Sequence, residues 1–116
     1  MGPLASVEHE HHDGVTIARV HGEIDVSNGE QVQAQILDGV TLGTRRMILD
    51  LSGIEYFDSV GVRLVFELQQ RFAGQHIAFA LVREPQSYVR KVLELCGAEQ
   101  VLEVFDDVDS ATSGVR

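Results

Sequence analysis

Met47 to Gln70 reads MILDLSGIEYFDSVGVRLVFELQQ, and its periodicity changes part-way along. Met47 to Leu51 is a short apolar run of strand length. Gly61, Leu64, Val65, Leu68 and Phe72 then recur at the three- and four-residue spacing of one helix face. Ser52 to Phe57 read as a connection, and Asp58-Ser59 opens the helix with two residues that cap well. Gly74 can end it. A strand feeding a helix is half of an α/β unit, and in such sheets function gathers where strands end and helices begin.

The same reading extends in both directions. Upstream, Leu4 to His9 is a candidate strand, His11-His12-Asp13-Gly14 a turn, and Val15 to His21 a β-branched strand. Ser27 lies three residues before Glu30, the spacing of a capping box, and Val32, Ile36, Leu37 and Val40 mark the helix face that follows. Gly39 and Gly43 flank its end. Downstream, Ile77 to Val82 is a continuous apolar run, as expected of a strand covered on both faces. Pro85 suits the first turn of a third helix. Tyr88, Val89, Val92, Leu93 and Cys96 form its apolar face, with Gly97 as its C′ residue. Val101 to Phe105 reads as a last strand, and Asp107 as the cap of a short terminal helix. The order is ββαβαβαβα. It predicts one α/β domain over residues 1–116, with its core between Val15 and Ala111. The sheet is mixed and mostly parallel, of four or five strands with three or four helices.

Composition narrows the function. A chain of 116 residues suits one domain, with little room for a second or for a large substrate cleft. The formal charge of −9 argues against nucleic acid and against an anionic membrane surface as partners. No stretch is apolar over the roughly 18 residues that span a bilayer, so no direct membrane insertion is expected. Neither is a secretory leader, because no basic segment precedes an apolar one. A single cysteine, Cys96, excludes an internal disulfide framework and fits a reducing cytoplasm. Glu99, Glu103, Asp106, Asp107 and Asp109 read as a solvated acidic face.

The chemistry sits in Asp58-Ser59-Val60-Gly61. A helix start offers free N–H groups and a partial positive charge, so a phosphate on Ser59 would gain roughly 0.3–1 kcal/mol there. Gly61 leaves space for a partner's backbone. Taken alone, the four residues need be no more than a helix cap.

Three segments in register carry the reading further. Met47 to Gln70, with Asp-Leu-Ser ending a strand and Asp-Ser-x-Gly opening a helix, resembles the central segment of STAS domains. His21-Gly22-Glu23-Ile24-Asp25-Val26 resembles that family's Gly-Glu-(Leu/Ile)-Asp, and Val89 to Ala111 resembles its C-terminal part. The resemblance implies the anti-sigma factor antagonist branch. There the unphosphorylated protein binds an anti-sigma factor, often itself an ATP-dependent serine kinase, and frees the sigma factor. The resemblance makes Ser59 the phosphoacceptor, with Asp25 and Asp58 beside it. ATP is then the phosphoryl donor bound by the partner kinase, a serine phosphatase reverses the step, and the chain needs no cofactor of its own. Val60 stands where a small residue, often Ser, is usual, and Arg63 where the family often has something small. Both fall in the expected partner-binding face with Val62 and Phe66. Other STAS roles fit the same residues: a scaffold subunit of a stress-signalling assembly, or a cytoplasmic subunit of a lipid or anion transporter.

Rival readings fail on particular residues. A serine hydrolase would carry Gly-x-Ser-x-Gly, but Phe57 precedes Asp58-Ser59 where glycine is needed. A phosphoacceptor receiver built on Asp50 needs a lysine after its last strand, and the one lysine, Lys91, lies inside the third helix. The chain is therefore not expected to be an enzyme. His9, Glu10, His11, His12 and Asp13 match no zinc spacing and read as a solvated hairpin turn. Cys96 reads as core filler. His21 and His76 flank strands and read as structural or exposed.

Overall fold

The computed structural model describes residues 4–114. In chain order the elements are β1 (Ala5–His12), β2 (Val15–Ile24), α1 (Gly29–Asp38), β3 (Arg46–Phe57), α2 (Ser59–Gly74), β4 (Ala78–Val82), α3 (Tyr88–Leu95), a 3₁₀ turn (Ala98–Gln100), β5 (Glu103–Phe105) and α4 (Val108–Ser113). The strands lie in the sheet in sequence order, β1-β2-β3-β4-β5. β1 runs antiparallel to β2 and the remaining pairs are parallel, so the expected mixed, mostly parallel α/β sheet is present. The β1–β2 hairpin turns on Asp13 and Gly14, at φ 49° and 83°. Two successive positive φ angles are what a two-residue hairpin requires. His11 and His12, expected in that turn, instead complete β1.

Two cores follow from the alternation of side chains along the strands. Ala18, Val20, Met47, Leu49, Leu51 and Leu81 meet the apolar faces of α1, α2 and α3 on one side of the sheet. Ile17, Ile48, Ala80, Val82 and Phe105 form a smaller cluster on the other, covered by Ala111 of α4. The α2 face read from the sequence is correct throughout, with Gly61, Leu64, Val65, Leu68 and Phe72 all buried. Asp107 caps α4 by accepting from the Ser110 N–H, as expected. Gly97 takes φ 70° after α3, also as expected.

Other boundaries move for identifiable reasons. β3 does not stop at Leu51 but continues to Phe57, because β2 also continues and pairs with it through Ile24. The Ser27–Glu30 capping box does not form. Asn28 is the N-cap of α1, and the Ser27 hydroxyl donates to Asp25. Pro85 lies outside α3, whose cap is Ser87 accepting from the Arg90 N–H. α2 ends at Gly74 as expected, with the positive φ on His76 (60°) two residues beyond it. Cys96 is exposed and is not core, because α3 ends at Leu95. Tyr88, placed on the apolar face of α3, is also exposed. His9 and His11 are not free in solvent. Their rings lie on α1, with His11 Nε2 2.7 Å from the Gly39 carbonyl oxygen and His9 Nε2 3.4 Å from that of Ile36.

Gly22 ties the edge strand to the end of β2 that leads into the Asp25 turn. It has φ 104°, and a Cβ built there would lie 2.2 Å from the Leu4 carbonyl oxygen, which also accepts from the Glu23 N–H. Backbone strain and a backbone clash coincide, so Gly22→Ala is expected to lose about 2 kcal/mol or more. Urea denaturation measures this. A midpoint equal to that of the unsubstituted chain contradicts the assignment.

Candidate phosphoacceptor site

Strand register brings the two predicted acidic residues to one end of the sheet. Ile24 pairs with Phe57 across β2 and β3. Asp25 follows the first and Asp58 the second, so the turns into α1 and α2 start side by side. They also touch: a Cβ on Gly29 would lie 2.7 Å from Val60 Cγ1, so Gly29 is what lets the start of α1 approach the start of α2.

Each carboxylate has local work. Asp58 Oδ1 accepts from the Val60 N–H at 2.9 Å, closing the first turn of α2. Its Oδ2 accepts from the Tyr56 hydroxyl at 3.0 Å, and this hydrogen bond holds the Tyr56 phenol above its ordinary range. Asp25 Oδ1 accepts from both the hydroxyl (2.5 Å) and the N–H (2.8 Å) of Ser27. Those bonds hold its carboxyl below the usual aspartate range. Asn28 locks the turn from beneath, accepting from the Asp25 N–H and donating to the Glu23 carbonyl. Ser59, the first residue of α2, is exposed, and its hydroxyl has no hydrogen-bond partner among the described residues. The start of α2 thus presents one free hydroxyl next to Asp58, and both carboxylates at this end of the sheet are already engaged.

The neighbours divide into surface and core. Val60 is half-buried and Arg63 is exposed, and both line a groove of about 350 Å³ between α1 and α2. Phe66 is half-buried against the main core. Val62, placed in the partner-binding face, is 8% exposed and belongs to the core, because Leu64 and Leu68 do not use the whole buried arc of α2. Gly61 is also buried. Its missing Cβ makes room for the Phe57 ring, which would stand 2.4 Å away, and not for a partner's backbone. Asp50 is remote from this chemistry. It is buried, bonded to Arg19 at 2.9 Å, and accepts from Ser52. Tyr56 is the residue that sequence reasoning missed. Carrying β3 on to Phe57 would have placed it beside Asp58.

A family model described as the STAS domain matches residues 6–111. The chain belongs to the STAS family. The anti-sigma-F factor antagonist RsfB of Mycobacterium tuberculosis is 28% identical over 105 residues, covering 90% of this chain and 84% of that protein. The crystal structure of an anti-sigma factor antagonist from Mycobacterium paratuberculosis superposes with a TM-score of 0.84 at 26% identity, over 97% of this chain and 94% of the other. SpoIIAA, an anti-sigma factor antagonist, shares the fold in its unphosphorylated form, with a TM-score of 0.70 at 21% identity over 96% and 99% of the two chains. The phosphorylated form of the Bacillus protein shares it too, with a TM-score of 0.67 at 23% identity over 96% and 100%. Among the described residues, no helix is long and apolar enough to cross a membrane.

The Asp25 turn has a testable acid limit. A depressed carboxylate contributes stability above its unfolded pKa and loses it as pH falls through its folded one. The Ser27 bonds should therefore persist through the ordinary aspartate range and break only below it. Carbonyl-detected NMR titration should give Asp25 a midpoint below that range, and Ser27→Ala should raise it. A wild-type midpoint at the ordinary value contradicts the geometry.

Proposed function

We propose that this STAS protein is an anti-sigma factor antagonist switched by phosphorylation of Ser59. The observation that carries this reading is the free, exposed Ser59 hydroxyl in Asp58-Ser59-Val60-Gly61 at the start of α2. The resemblance to proteins named as anti-sigma factor antagonists supplies the partner class. In the unphosphorylated state the surface around Ser59, with Val60, Arg63 and Phe66, docks on an anti-sigma factor that is itself a serine kinase. Within that complex the Ser59 oxygen attacks the γ-phosphorus of ATP held by the partner. ADP leaves, and the hydroxyl proton passes to a base of the kinase or to water. A serine phosphatase later hydrolyses the phosphoserine. The chain supplies the acceptor and no catalytic group, and it acts in the cytoplasm.

Release follows from charge and water. Phosphorylation adds about −1.5 to −2 charges at pH 7 beside Asp58 and Asp25, on a chain of formal charge −9. In the free protein the phosphate stays in water, and the helix start offsets part of the repulsion, by at most about 2 kcal/mol. In the complex that water is stripped away, and an imperfectly paired charge costs several kcal/mol. Each 1.4 kcal/mol is tenfold in affinity, so a loss of roughly 100-fold or more is expected.

Two measurements test this. Incubation with the cognate kinase and ATP, followed by mass spectrometry, should place the phosphate on Ser59, and Ser59→Ala should take up none. Phosphorylation of Ser59→Ala at the wild-type stoichiometry contradicts the assignment. Calorimetry of the kinase against both forms should show the 100-fold loss. Equal affinities sink the switch.

A further inference from the structure

Ser59 and Arg63 stand four residues apart on α2, so one lies a turn above the other on the same face. Both are exposed. Arg19, Arg46, Arg83 and Arg90 each hold a carboxylate. Arg63 has no hydrogen-bond or ion-pair partner among the described residues. It is the cation of the groove between α1 and α2, whose other charged lining residues are Glu30 and Glu67. A neutral serine hydroxyl gives this guanidinium little to hold. A phosphoserine presents oxygens that a guanidinium grips in a two-pronged fork.

We propose that Arg63 is the intramolecular counter-ion of phosphorylated Ser59. This rests on the reading of Ser59 as phosphoacceptor. The geometry favours the pair in three ways. An anion placed four residues before a cation is the better order on a helix. Glu67, also four residues from Arg63, stands in the poorer order, carries half the charge of a dianionic phosphate, and accepts from Gln33 at 3.5 Å. Asp58, engaged by Tyr56 and the Val60 N–H, repels a phosphate on Ser59 away from itself and along α2. The pair then lies along the outer face of α2 beside Val60. Phosphorylation therefore does two things at the docking surface: it adds charge at Ser59 and removes the groove's cation from a partner's reach.

The test needs no kinase. Full-length chain with phosphoserine encoded at position 59 is titrated by ³¹P NMR, alongside the same chain carrying Arg63→Gln or Arg63→Lys. The wild-type phosphate midpoint is expected about 0.15–0.4 unit below that of Arg63→Gln, as the strength of such helix pairs implies, with Arg63→Lys between them. The gap should narrow in 1 M NaCl, because salt weakens exposed ion pairs. Circular dichroism checks that the variants keep their helices. Equal midpoints for wild type and Arg63→Gln overturn the proposal, and so does a gap undiminished at high salt. Either failure leaves phosphorylation of Ser59 by the kinase standing. Failure of the kinase to modify Ser59 would instead remove the biological setting while leaving the measured pair intact.

Discussion

The pairing of β2 with β3 through Ile24 and Phe57 is the constraint on which the rest depends. Parallel strands joined by a helix could end anywhere relative to each other. Here they end together, so the turn beginning at Asp25 and the turn beginning at Asp58 are neighbours. Phe57 anchors that end. It is fully buried, and its ring occupies the space that a side chain on Gly61 would need. The first turn of α2 therefore packs down onto the last residue of β3, and Ser59 emerges on the outside with nothing to hold it back.

The two carboxylates differ in how they are used. Asp58 is shared between a backbone N–H and a phenol, so it is committed to shaping the start of α2. Asp25 is committed to Ser27, and its depressed pKa follows from those two hydrogen bonds. Neither bonds Ser59 in the resting state. Neither carboxylate therefore ties down the Ser59 hydroxyl. That arrangement suits the proposed switch, in which a partner reaches the site when it is neutral and is repelled when it is charged.

The sequence was most legible where periodicity and burial coincide. The α2 face from Gly61 to Phe72 is long and strongly periodic, and every residue assigned to its interior is buried. The Asp13-Gly14 turn and the Asp107 cap were legible because their chemistry is local. What failed depends on tertiary contacts. Ser52 to Phe57 alternates weakly and looks like a connection until β2 is extended beside it. Ser27 has the spacing of a cap, but Asn28 reaches both Asp25 and Glu23 and takes the boundary. Gly61 and Val62 show the same limit at the site, because a residue close to Ser59 in sequence need not share its surface. Ser59, Asp25 and Asp58 were singled out through the order of motifs. Their juxtaposition comes from the register of two strands, which no single motif contains.

The central claim is that the switch is local: a phosphate on Ser59 changes one surface and leaves the sheet as it is. Backbone amide NMR shifts of the unmodified chain and of the Ser59-phosphorylated chain test it most directly. A local switch gives shifts confined to the Asp25–Gly29 turn, Tyr56 to Phe66 and the facing part of α1, with β1, β4, β5 and α4 unmoved. Shifts spread across the whole sheet would contradict it and make the switch a conformational one.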